Sequence, residues 1–468
     1  MMHLHFIGVG GIGMSGLAAA FCDLGYRISG SDRGAENPEN SHIISPLREI
    51  GVTIYPQDGS YIADGVPDAL VYSTAIEKDN PDFAAGKSVR RLHRSEMLKE
   101  LIRLAGEKQF SIAVTGSCGK STVTAYLAEA LLNLGADPRS LNGAVSKRFA
   151  SGDCVGNYRS GDGRYFVFEA DESDKSLLNY SADYAVILNI GTDHYSKEEL
   201  SEVFGKFLAN TRRGAVLERG VYESVKEYIP QHLQVAVFES VLSGTADCAV
   251  ADYRLDKSGE VPRPLVRFSG EKEYLTLPQS GFHMAKNALA ICAMLEMLGY
   301  SRAEALKAIC RFDGIKRRTD FAGVSSAGFA VYDDYAHNPE KIASCLETMQ
   351  SLASGKVIAV FQPHGYGPFG FMRDELLNTL DKQLREGDVF CLLEPYYAGG
   401  TSSKKPSAPE VWSDWQTKSL HPERYKVFPD RASLAGFISQ NAARGDIAVV
   451  MGARDNSLGI YAKELADL

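Results

Sequence analysis

The sequence predicts an α/β protein of three domains, each built on a mostly parallel sheet with helices on both faces. The length of 468 residues exceeds what one hydrophobic core can organise, so several domains are expected. Short apolar runs alternate with helical patterns along the chain, which is typical of parallel sheets whose crossovers are helices. Several of these runs end in glycines or carboxylates, at the strand ends where open α/β sheets bind ligands.

The N-terminal domain is expected over residues 1–106, with a Rossmann-like fold. Predicted strands cover residues 3–9, 27–31, 52–55 and 69–73, and predicted helices include residues 15–24 and 47–50. The polar stretch 106–109 is typical of a linker and would end this domain.

The two following domains repeat the alternation. The central domain, over 107–320, should have the parallel sheet of a phosphate-loop ATPase, and the C-terminal domain, over 321–468, a second Rossmann-like fold. Predicted central strands lie at 110–115, 165–169 and 184–189, with helices near 121–134, 197–210 and 284–298. Short alternating runs over 235–277 predict an antiparallel addition. Predicted C-terminal strands lie near 329–333, 356–361, 388–393 and 447–451, with helices near 339–353, 373–385 and 431–443.

Composition restricts the class of protein. The net charge of −9 argues against nucleic acid or an anionic membrane as the main partner. The eight cysteines are scattered and form no C-x-x-C pair, so neither structural zinc nor a disulfide framework is expected. The N-terminal apolar run is interrupted by glycines and follows no basic residue, which argues against a signal sequence. We therefore expect a cytoplasmic enzyme, as a monomer or homodimer.

The most informative motif is the segment Ala113–Thr122, with the sequence AVTGSCGKST. A strand, a glycine-containing turn and a helix start form an anion site, because backbone N–H groups and the helix N-terminus face phosphate oxygens. Lys120 adds a positive charge, and the Ser121 hydroxyl can bind magnesium. The segment predicts ATP binding, although Val114 replaces the first glycine of the full phosphate-loop pattern.

A second glycine motif follows the first predicted strand. Gly8, Gly10 and Gly13 form G-x-G-x-x-G, and the acidic Asp32 lies about twenty residues further along. The glycines allow backbone to approach a diphosphate closely. The motif alone leaves open whether the ligand is NAD or another diphosphate nucleotide such as a UDP-sugar.

Acidic and imidazole side chains follow three further predicted strands. The sequence FEADESD brings Glu169 and three more carboxylates to one strand end, and beside a phosphate loop this indicates Mg²⁺. The next strand leads into Asn189 and His194, and a third-domain strand leads into Asp334 and His337. A solvated acidic loop remains the simpler alternative for the first cluster.

Taken together, these motifs resemble the Mur ligases over essentially the whole chain. The resemblance rests on segments in the right order: HFIGVGGIGMSGLA, GSDR, STAIEKDNPDF, HRSEML, TGSCGKST, EADESD, NIGTDH, FDGIKRRTDF, DDYAHNPEKI, FQPHGYGP and GDIAVVMGA. It implies an ADP-forming ligase that joins an amino acid, here L-alanine, to the lactoyl carboxylate of UDP-N-acetylmuramate through an acyl phosphate. It also implies ATP and Mg²⁺ in the central domain, with the third domain closing over them.

The resemblance assigns roles to individual residues. The implied catalytic groups are Lys120, Glu169, His194, Asp334 and His337. The implied ATP contacts are Gly116, Ser117, Gly119, Lys120, Ser121, Thr122, Asn287 and Arg318, with Ser121, Glu169 and His194 as metal ligands. The implied substrate contacts are Gly8, Gly10, Gly11, Gly13, Met14, Ser15, Asp32, Ser73, Asn189 and His364.

Several positions depart from the family pattern. Ser117-Cys118 stands where Thr-His is usual, Gly191 replaces an acidic residue, Met284 an asparagine, and Gly365 an arginine. Arg454-Asp455-Asn456 also replaces the usual sequence there. These departures leave open a different amine acceptor, such as a recycled peptide. A ligase-fold protein without turnover and an NAD-dependent dehydrogenase are the remaining alternatives.

Overall fold

The computed structural model describes residues 2–172, 176–191, 196–242, 248–259, 262–397 and 404–468. The described residues contain three sheets, and the predicted α/β fold is confirmed. The chain separates into two compact units, the first ending at Ile315 and the second centred on Lys316–Leu468. The first unit contains two of the sheets, because a single hydrophobic core extends from one to the other.

The N-terminal sheet has five parallel strands in the order β3-β2-β1-β4-β5, which is the Rossmann-like arrangement. Its strands are β1 (His3–Ile7), β2 (Arg27–Ser31), β3 (Thr53–Tyr55), β4 (Ala69–Tyr72) and β5 (Arg90–His93). Its helices are α1 (Ile12–Asp23), α2 (Ser41–Glu49), α3 (Pro81–Ala85) and α4 (Arg94–Ala105). Every residue of β1 is buried, as expected for a central parallel strand covered on both faces.

The central sheet has ten strands in the order β15-β14-β13-β12-β11-β10-β6-β9-β7-β8. Its strands are β6 (Phe110–Thr115), β7 (Arg139–Leu141), β8 (Tyr158–Arg159), β9 (Tyr165–Glu169), β10 (Tyr184–Ile187), β11 (Gly214–Glu218), β12 (Gln234–Leu242), β13 (Ala249–Asp256), β14 (Arg263–Phe268) and β15 (Leu275–Thr276). The helices are α5 (Lys120–Asn133), α6 (Lys197–Ala209), α7 (Arg219–Val225), α8 (Phe282–Met297) and α9 (Arg302–Ile309).

The antiparallel addition predicted over 235–277 is correct only in part. Strand β12 runs parallel to both β11 and β13, and antiparallel pairing starts between β13 and β14. A shift of register within the β12–β13 pair accompanies this change. The alternating sequence pattern reports which face of a strand is buried and does not report the direction of its neighbour, which explains the error.

Polar contacts join the N-terminal and central sheets. The side-chain amide of Asn157 donates to the carbonyl of Ile12 at 2.5 Å and to the hydroxyl of Ser15 at 2.8 Å. The hydroxyl of Tyr158 donates to the carboxylate of Asp23 at 2.7 Å. These contacts hold α1, the helix that follows the glycine motif, against the central sheet.

The C-terminal sheet has six strands in the order β16-β17-β21-β18-β19-β20, of which only β16 is antiparallel to its neighbour. Its strands are β16 (Asp320–Val324), β17 (Ala330–Asp334), β18 (Val357–Phe361), β19 (Val389–Leu392), β20 (Tyr425–Val427) and β21 (Ile447–Met451). Its helices are α10 (Pro339–Leu352), α11 (Tyr366–Gln383), α12 (Ala408–Lys418), α13 (Arg431–Asn441) and α14 (Leu458–Ala466). Within the described ranges, no helix is both long and apolar enough to cross a membrane.

Candidate active site

The phosphate loop connects β6 to α5, as the sequence predicts. Gly116 has φ +134° and Gly119 has φ +88°, so both occupy backbone conformations that disfavour L side chains. A Cβ atom on Gly116 would also lie 3.1 Å from the backbone nitrogen of Asn189. The loop therefore needs glycine at both positions, and α5 begins directly after it at Lys120.

Lys120 lies among carboxylates that follow β9. Its ammonium donates to Glu172 at 2.7 Å and lies 3.7 Å from Asp171. Burial disfavours the charged form of Lys120, but the negative charges of Glu172 and Asp171 outweigh it and raise its pKa. A cation is thus held at the N-terminus of α5, where an anionic ligand would also be favoured by the helix dipole.

Two of the three predicted metal ligands, Ser121 and Glu169, are contacted by the adjacent residues Asn142 and Gly143. A carboxylate oxygen of Glu169 accepts a hydrogen bond from the backbone N–H of Gly143 at 2.9 Å. The adjacent Asn142 donates from its side chain to the carbonyl of Ser121 at 3.1 Å. The hydroxyl and carboxylate oxygens of Ser121 and Glu169 are donors that suit Mg²⁺. The third candidate, His194, lies outside the described residues.

The Asn189 side chain binds the backbone of the phosphate loop. Its amide oxygen accepts from the N–H of Cys118 at 2.8 Å, and its amide nitrogen donates to the carbonyl of Cys118 at 2.9 Å. The neighbouring Ser117 hydroxyl accepts from the N–H of Gly191 at 2.7 Å. The strand end after β10 thus fixes the loop after β6, its neighbour in the sheet.

Asn287 and Thr122 lie at the same loop. The side-chain oxygen of Asn287, in α8, would be 3.3 Å from a Cβ atom on Gly119. Asn287 is buried, and Thr122, in the first turn of α5, is partly exposed. The structure therefore brings the predicted ATP contacts of the first unit together from three elements.

The N-terminal glycine motif forms the turn between β1 and α1. The carboxylate of Asp32 accepts from the N–H of Gly10 at 2.9 Å and from the N–H of Gly34 at 2.8 Å. A Cβ atom on Gly10 would lie 2.8 Å from that carboxylate. Asp32 therefore supports the shape of the turn.

Accessibility divides the predicted substrate contacts of this turn into two groups. Gly8, Gly10, Gly11 and Gly13 are at least partly exposed, as is Ser73 at the end of β4. Met14 and Ser15 are buried, and the Ser15 hydroxyl is occupied by Asn157 and by the carbonyl of Ile12. In this structure the backbone of the turn is thus more accessible than the two side chains that follow it.

The second unit collects polar side chains at the carboxyl ends of β17 and β18. The buried carboxylate of Asp334 accepts from the backbone N–H groups of Thr319 at 2.6 Å and Ala336 at 2.8 Å. Burial raises the pKa of Asp334, while the nearby Arg318 and these two N–H groups act in the opposite direction. Asp334 therefore orders the backbone around the site.

Two imidazoles, of His337 after β17 and His364 after β18, lie close to each other. The ring centroids of His337 and His364 are 5.2 Å apart, and His337 Nδ1 contacts the carbonyl of Tyr335 at 2.9 Å. Burial lowers the pKa of His337 to about 4, and burial together with Arg454 lowers that of His364. The guanidinium carbon of Arg318 lies 5.1 Å from the centre of the Tyr335 ring. Near neutral pH this cluster offers uncharged nitrogens among cations.

Comparisons with known proteins place the whole chain. Three family descriptions match in order: "Mur ligase family, catalytic domain" over residues 3–105, "Mur ligase middle domain" over 114–295, and "Mur ligase, glutamate ligase domain" over 317–454. A UDP-N-acetylmuramate–L-alanine ligase of Maricaulis maris is 31% identical over 98% of this chain and 96% of its own. One from Caulobacter sp. is 33% identical over 98% of this chain and 95% of its own. The chain belongs to the Mur ligase family.

Solved structures agree with this assignment. A UDP-N-acetylmuramate–alanine ligase of Thermotoga maritima matches this Mur ligase with a TM-score of 0.78 and 26% identity, covering 100% of this chain and 98% of its own. A murein peptide ligase of Psychrobacter arcticus has the same fold, with a TM-score of 0.67 and 22% identity over 100% of this chain and 99% of its own.

Two residues at the glycine motif of this Mur ligase are absent from the sequence-derived site. Arg94, at the start of α4, would lie 3.2 Å from a Cβ atom on Gly13, and its guanidinium is 3.6 Å from the carboxylate of Asp171. Asp171 in turn lies 3.7 Å from Lys120. Arg94 thus connects the two glycine loops. The segment HRSEML could have indicated Arg94. The second residue is Asn157, which donates to Ile12 and Ser15 of α1, and no sequence pattern indicates it.

Proposed function

We propose that this Mur ligase is an ADP-forming amide ligase that joins L-alanine to the lactoyl carboxylate of UDP-N-acetylmuramate. The observation that carries the proposal is Lys120, held at the start of α5 beside the phosphate loop. The relatives from Maricaulis maris and Caulobacter sp., both named UDP-N-acetylmuramate–L-alanine ligase, support the choice of both substrates.

In the first proposed step, an oxygen of the lactoyl carboxylate attacks the γ-phosphorus of ATP. The bond from that phosphorus to the β–γ bridging oxygen breaks, ADP leaves, and an acyl phosphate remains. Loop N–H groups and the N-terminus of α5 stabilise the negative charge of the transferring group. Lys120 exchanges its Glu172 partner for a phosphate oxygen.

In the second proposed step, the amine of the amino acid attacks the acyl carbon. The carbon–oxygen bond to phosphate breaks, and the nitrogen passes a proton to the departing phosphate. A neutral imidazole at His337 or His364 can accept a hydrogen bond from the amine, because both rings have lowered pKa values. Asp334 keeps the backbone around them in place, and Arg318 contacts a nucleotide phosphate.

Mg²⁺ is the proposed metal of the first unit. Ser121 and Glu169 would hold it with oxygen donors, together with His194. Bound there, it would neutralise charge on the phosphates of ATP. Removal of Mg²⁺ with a chelator should abolish ADP release, and its return should restore it.

The N-terminal turn is the proposed site of the UDP diphosphate. Its accessible glycines, Gly8 to Gly13, present backbone to the ligand, and Ser73 lies at the end of the adjacent strand β4. We also propose domain boundaries at 1–106, 107–320 and 321–468, and a cytoplasmic location where ATP and nucleotide sugars are available.

The decisive experiment measures ADP release with ATP, Mg²⁺ and UDP-N-acetylmuramate. L-alanine, glycine, L-serine and the tripeptide L-alanyl-γ-D-glutamyl-meso-diaminopimelate are supplied in turn. Release that depends on L-alanine supports the proposal. If ADP is released only with another amine, that amine is the acceptor in place of L-alanine. If ADP is released with none of the amines, the result contradicts ligase activity.

A peptide acceptor is the second candidate. The observation that favours it is Gly365, where the family pattern predicts an arginine near the incoming amino acid or phosphate. The tripeptide in the same experiment tests it directly, since only a peptide ligase would turn over faster with tripeptide than with L-alanine.

A further inference from the structure

Three adjacent strands of the C-terminal sheet end at one edge. Strand β21 lies between β17 and β18 and is parallel to both. His337 follows β17, His364 follows β18, and Arg454 follows β21. The carboxyl edge of such a sheet is where ligands bind.

Arg454 has an unusual backbone conformation. Its φ is +67°, in the left-handed region that residues other than glycine rarely adopt. Such a conformation persists only when the surrounding structure enforces it, and it is found often at ligand sites.

The loop around Arg454 is held firmly. The guanidinium of Arg317 donates to the carbonyls of Gly452 at 2.7 Å and Asp455 at 2.9 Å. The buried carboxylate of Asp455 accepts from Arg431 at 2.6 Å and from the N–H of Ser457 at 2.9 Å. Both sides of Arg454 are therefore fixed.

By contrast, the Arg454 side chain is exposed and weakly engaged. Its guanidinium makes one long contact, 3.5 Å, to the carbonyl of His364. Over the described ranges of the chain, no carboxylate lies within ion-pairing distance of Arg454 or of Arg318. The Nδ1 atom of His364 is buried and has no hydrogen-bond partner there. Arg454 thus lies beside His364 with no carboxylate partner in these ranges, and the His364 imidazole has an unpaired nitrogen.

We propose that Arg454 is an anion-binding residue of this ligase, which meets a carboxylate or phosphate oxygen of a substrate beside His364. This inference rests on the proposed function for the identity of the substrate. Position 365 cannot readily supply that cation, because Gly365 has φ +153° and a larger residue there would be strained. The planar guanidinium suits both carboxylate and phosphate.

The first test compares three variants in the ADP-release assay. Arg454→Ala should raise the KM of the substrate that carries the anion about ten- to hundredfold, as expected for a charged hydrogen bond. Arg454→Lys keeps the charge without the fork and should lie between wild type and Arg454→Ala. Arg444→Ala is the matched control, because Arg444 is exposed and precedes the same strand β21 at its opposite end.

L-alaninamide, which lacks the carboxylate, separates the two sources of the anion. If Arg454 binds the amino acid carboxylate, Arg454→Ala should lose activity with L-alanine and not with L-alaninamide. If it binds phosphate, the loss should be equal with both acceptors and should appear in the KM of ATP. Values within twofold of wild type for every substrate would overturn the proposal.

A second measurement does not depend on turnover. Inorganic phosphate and acetate are titrated into the full-length protein while the imidazole C–H resonances of His364 and His337 are followed by NMR, assigned with His364→Gln and His337→Gln. A saturable shift that weakens at least tenfold in Arg454→Ala and is unchanged in Arg444→Ala supports the anion site, even if the proposed ligase activity fails. Absence of that shift, or an equal shift in Arg454→Ala, contradicts it.

Discussion

The ammonium of Lys120 has two carboxylate neighbours, and a phosphate must compete with both. Glu172 is itself buried, and burial raises the pKa of its carboxyl. The interaction is therefore not a simple surface ion pair, and the charge of Lys120 is maintained in the absence of nucleotide. A buried cation whose partners can be exchanged suits a group that must bind phosphate transiently.

Replacement of Lys120 tests this view. Lys120→Ala should reduce ADP release at least a hundredfold, because the charge that stabilises the transferring phosphate is lost. The assay with ATP, UDP-N-acetylmuramate and L-alanine measures it. Lys108→Ala, at an exposed lysine of the linker, is the control and should retain wild-type turnover. Full activity of Lys120→Ala would remove Lys120 from the mechanism.

Asn189 provides a second prediction. Asn189→Ala removes both hydrogen bonds to the backbone of Cys118, so the phosphate loop should lose its fixed shape. We expect the KM of ATP to rise about tenfold and the midpoint of thermal unfolding to fall by a few degrees, as for two lost hydrogen bonds. Asn179→Ala, at an exposed asparagine, is the comparison. An unchanged ATP KM in Asn189→Ala would mean that the loop keeps its shape unaided.

Among individual residues, those at the end of a strand are the easiest to predict from the sequence. Gly116, Gly119 and Lys120 lie where a strand–turn–helix pattern puts them, since that pattern is local. Arg94 and Asn157 were missed because their contacts join segments far apart in sequence. The roles of the predicted site residues stay predictions.

Among the helices, α5 connects the phosphate loop to the last segment of the first unit. The Tyr126 ring stacks on Phe312 with centroids 4.3 Å apart, and its hydroxyl donates to the carbonyl of Ile309. The buried carboxylate of Glu129 accepts from the N–H of Asp313 at 2.9 Å and from Ser146 at 3.0 Å. One helix thus begins at the candidate ATP site and fixes residues 309–313 at its other turns.

Glu129 should make stability depend on pH. Burial raises its pKa from 4.5 to about 7, so the folded chain keeps a proton that the unfolded chain releases. The free energy of unfolding should therefore fall as pH rises through this range, by about 3 kcal/mol from this group. The glutamine side chain of Glu129→Gln does not ionise, so this variant should lack that part of the dependence of the free energy of unfolding on pH.

Urea unfolding of wild type and Glu129→Gln at pH 5 and pH 8 measures the difference. Glu304→Gln, at an exposed glutamate, is the control and should keep the wild-type slope. Identical pH dependence in wild type and Glu129→Gln would show that the buried carboxyl does not hold its proton.

Elements with strong periodicity were predicted well, and short or edge elements were not. Helix α10 was expected at 339–353 and is found at Pro339–Leu352. Strands β7 and β8 have only three and two residues, too few for an alternating pattern to be recognised. Strand β16 was missed because its pairing with β17 depends on a turn, and its own burial pattern is weak.

At the scale of the whole molecule, the two compact units differ in how many sheets share a core. The second unit has its own sheet and a hydrophobic core that includes Phe329, Val360 and Leu434. In the first unit, Leu17 and Phe21 of α1 belong to the same core as Phe168 of β9. The N-terminal and central sheets are therefore expected to unfold together.

A fragment of residues 316–468 should fold by itself. Its sheet and the core that includes Phe329, Val360 and Leu434 lie within these residues, so we expect a cooperative thermal transition by circular dichroism. A fragment of residues 2–105 should be less stable, because α1 loses its contacts with the central sheet. A cooperative transition in the fragment 2–105 and none in the fragment 316–468 would contradict this division.

The contact between Ser117 and Gly191 has an evolutionary consequence. The Ser117 hydroxyl accepts from the N–H of Gly191, and a Cβ atom at 191 would lie 3.0 Å from the Cβ of Ser117. Both positions depart from the family pattern, and they share one small space. We therefore expect the residues at positions 117 and 191 to covary among relatives. One of the two replacements would have come first in an ancestor and made the other tolerable. Restoring the acidic residue at 191 should lower the free energy of unfolding, because its Cβ atom would crowd the Cβ of Ser117.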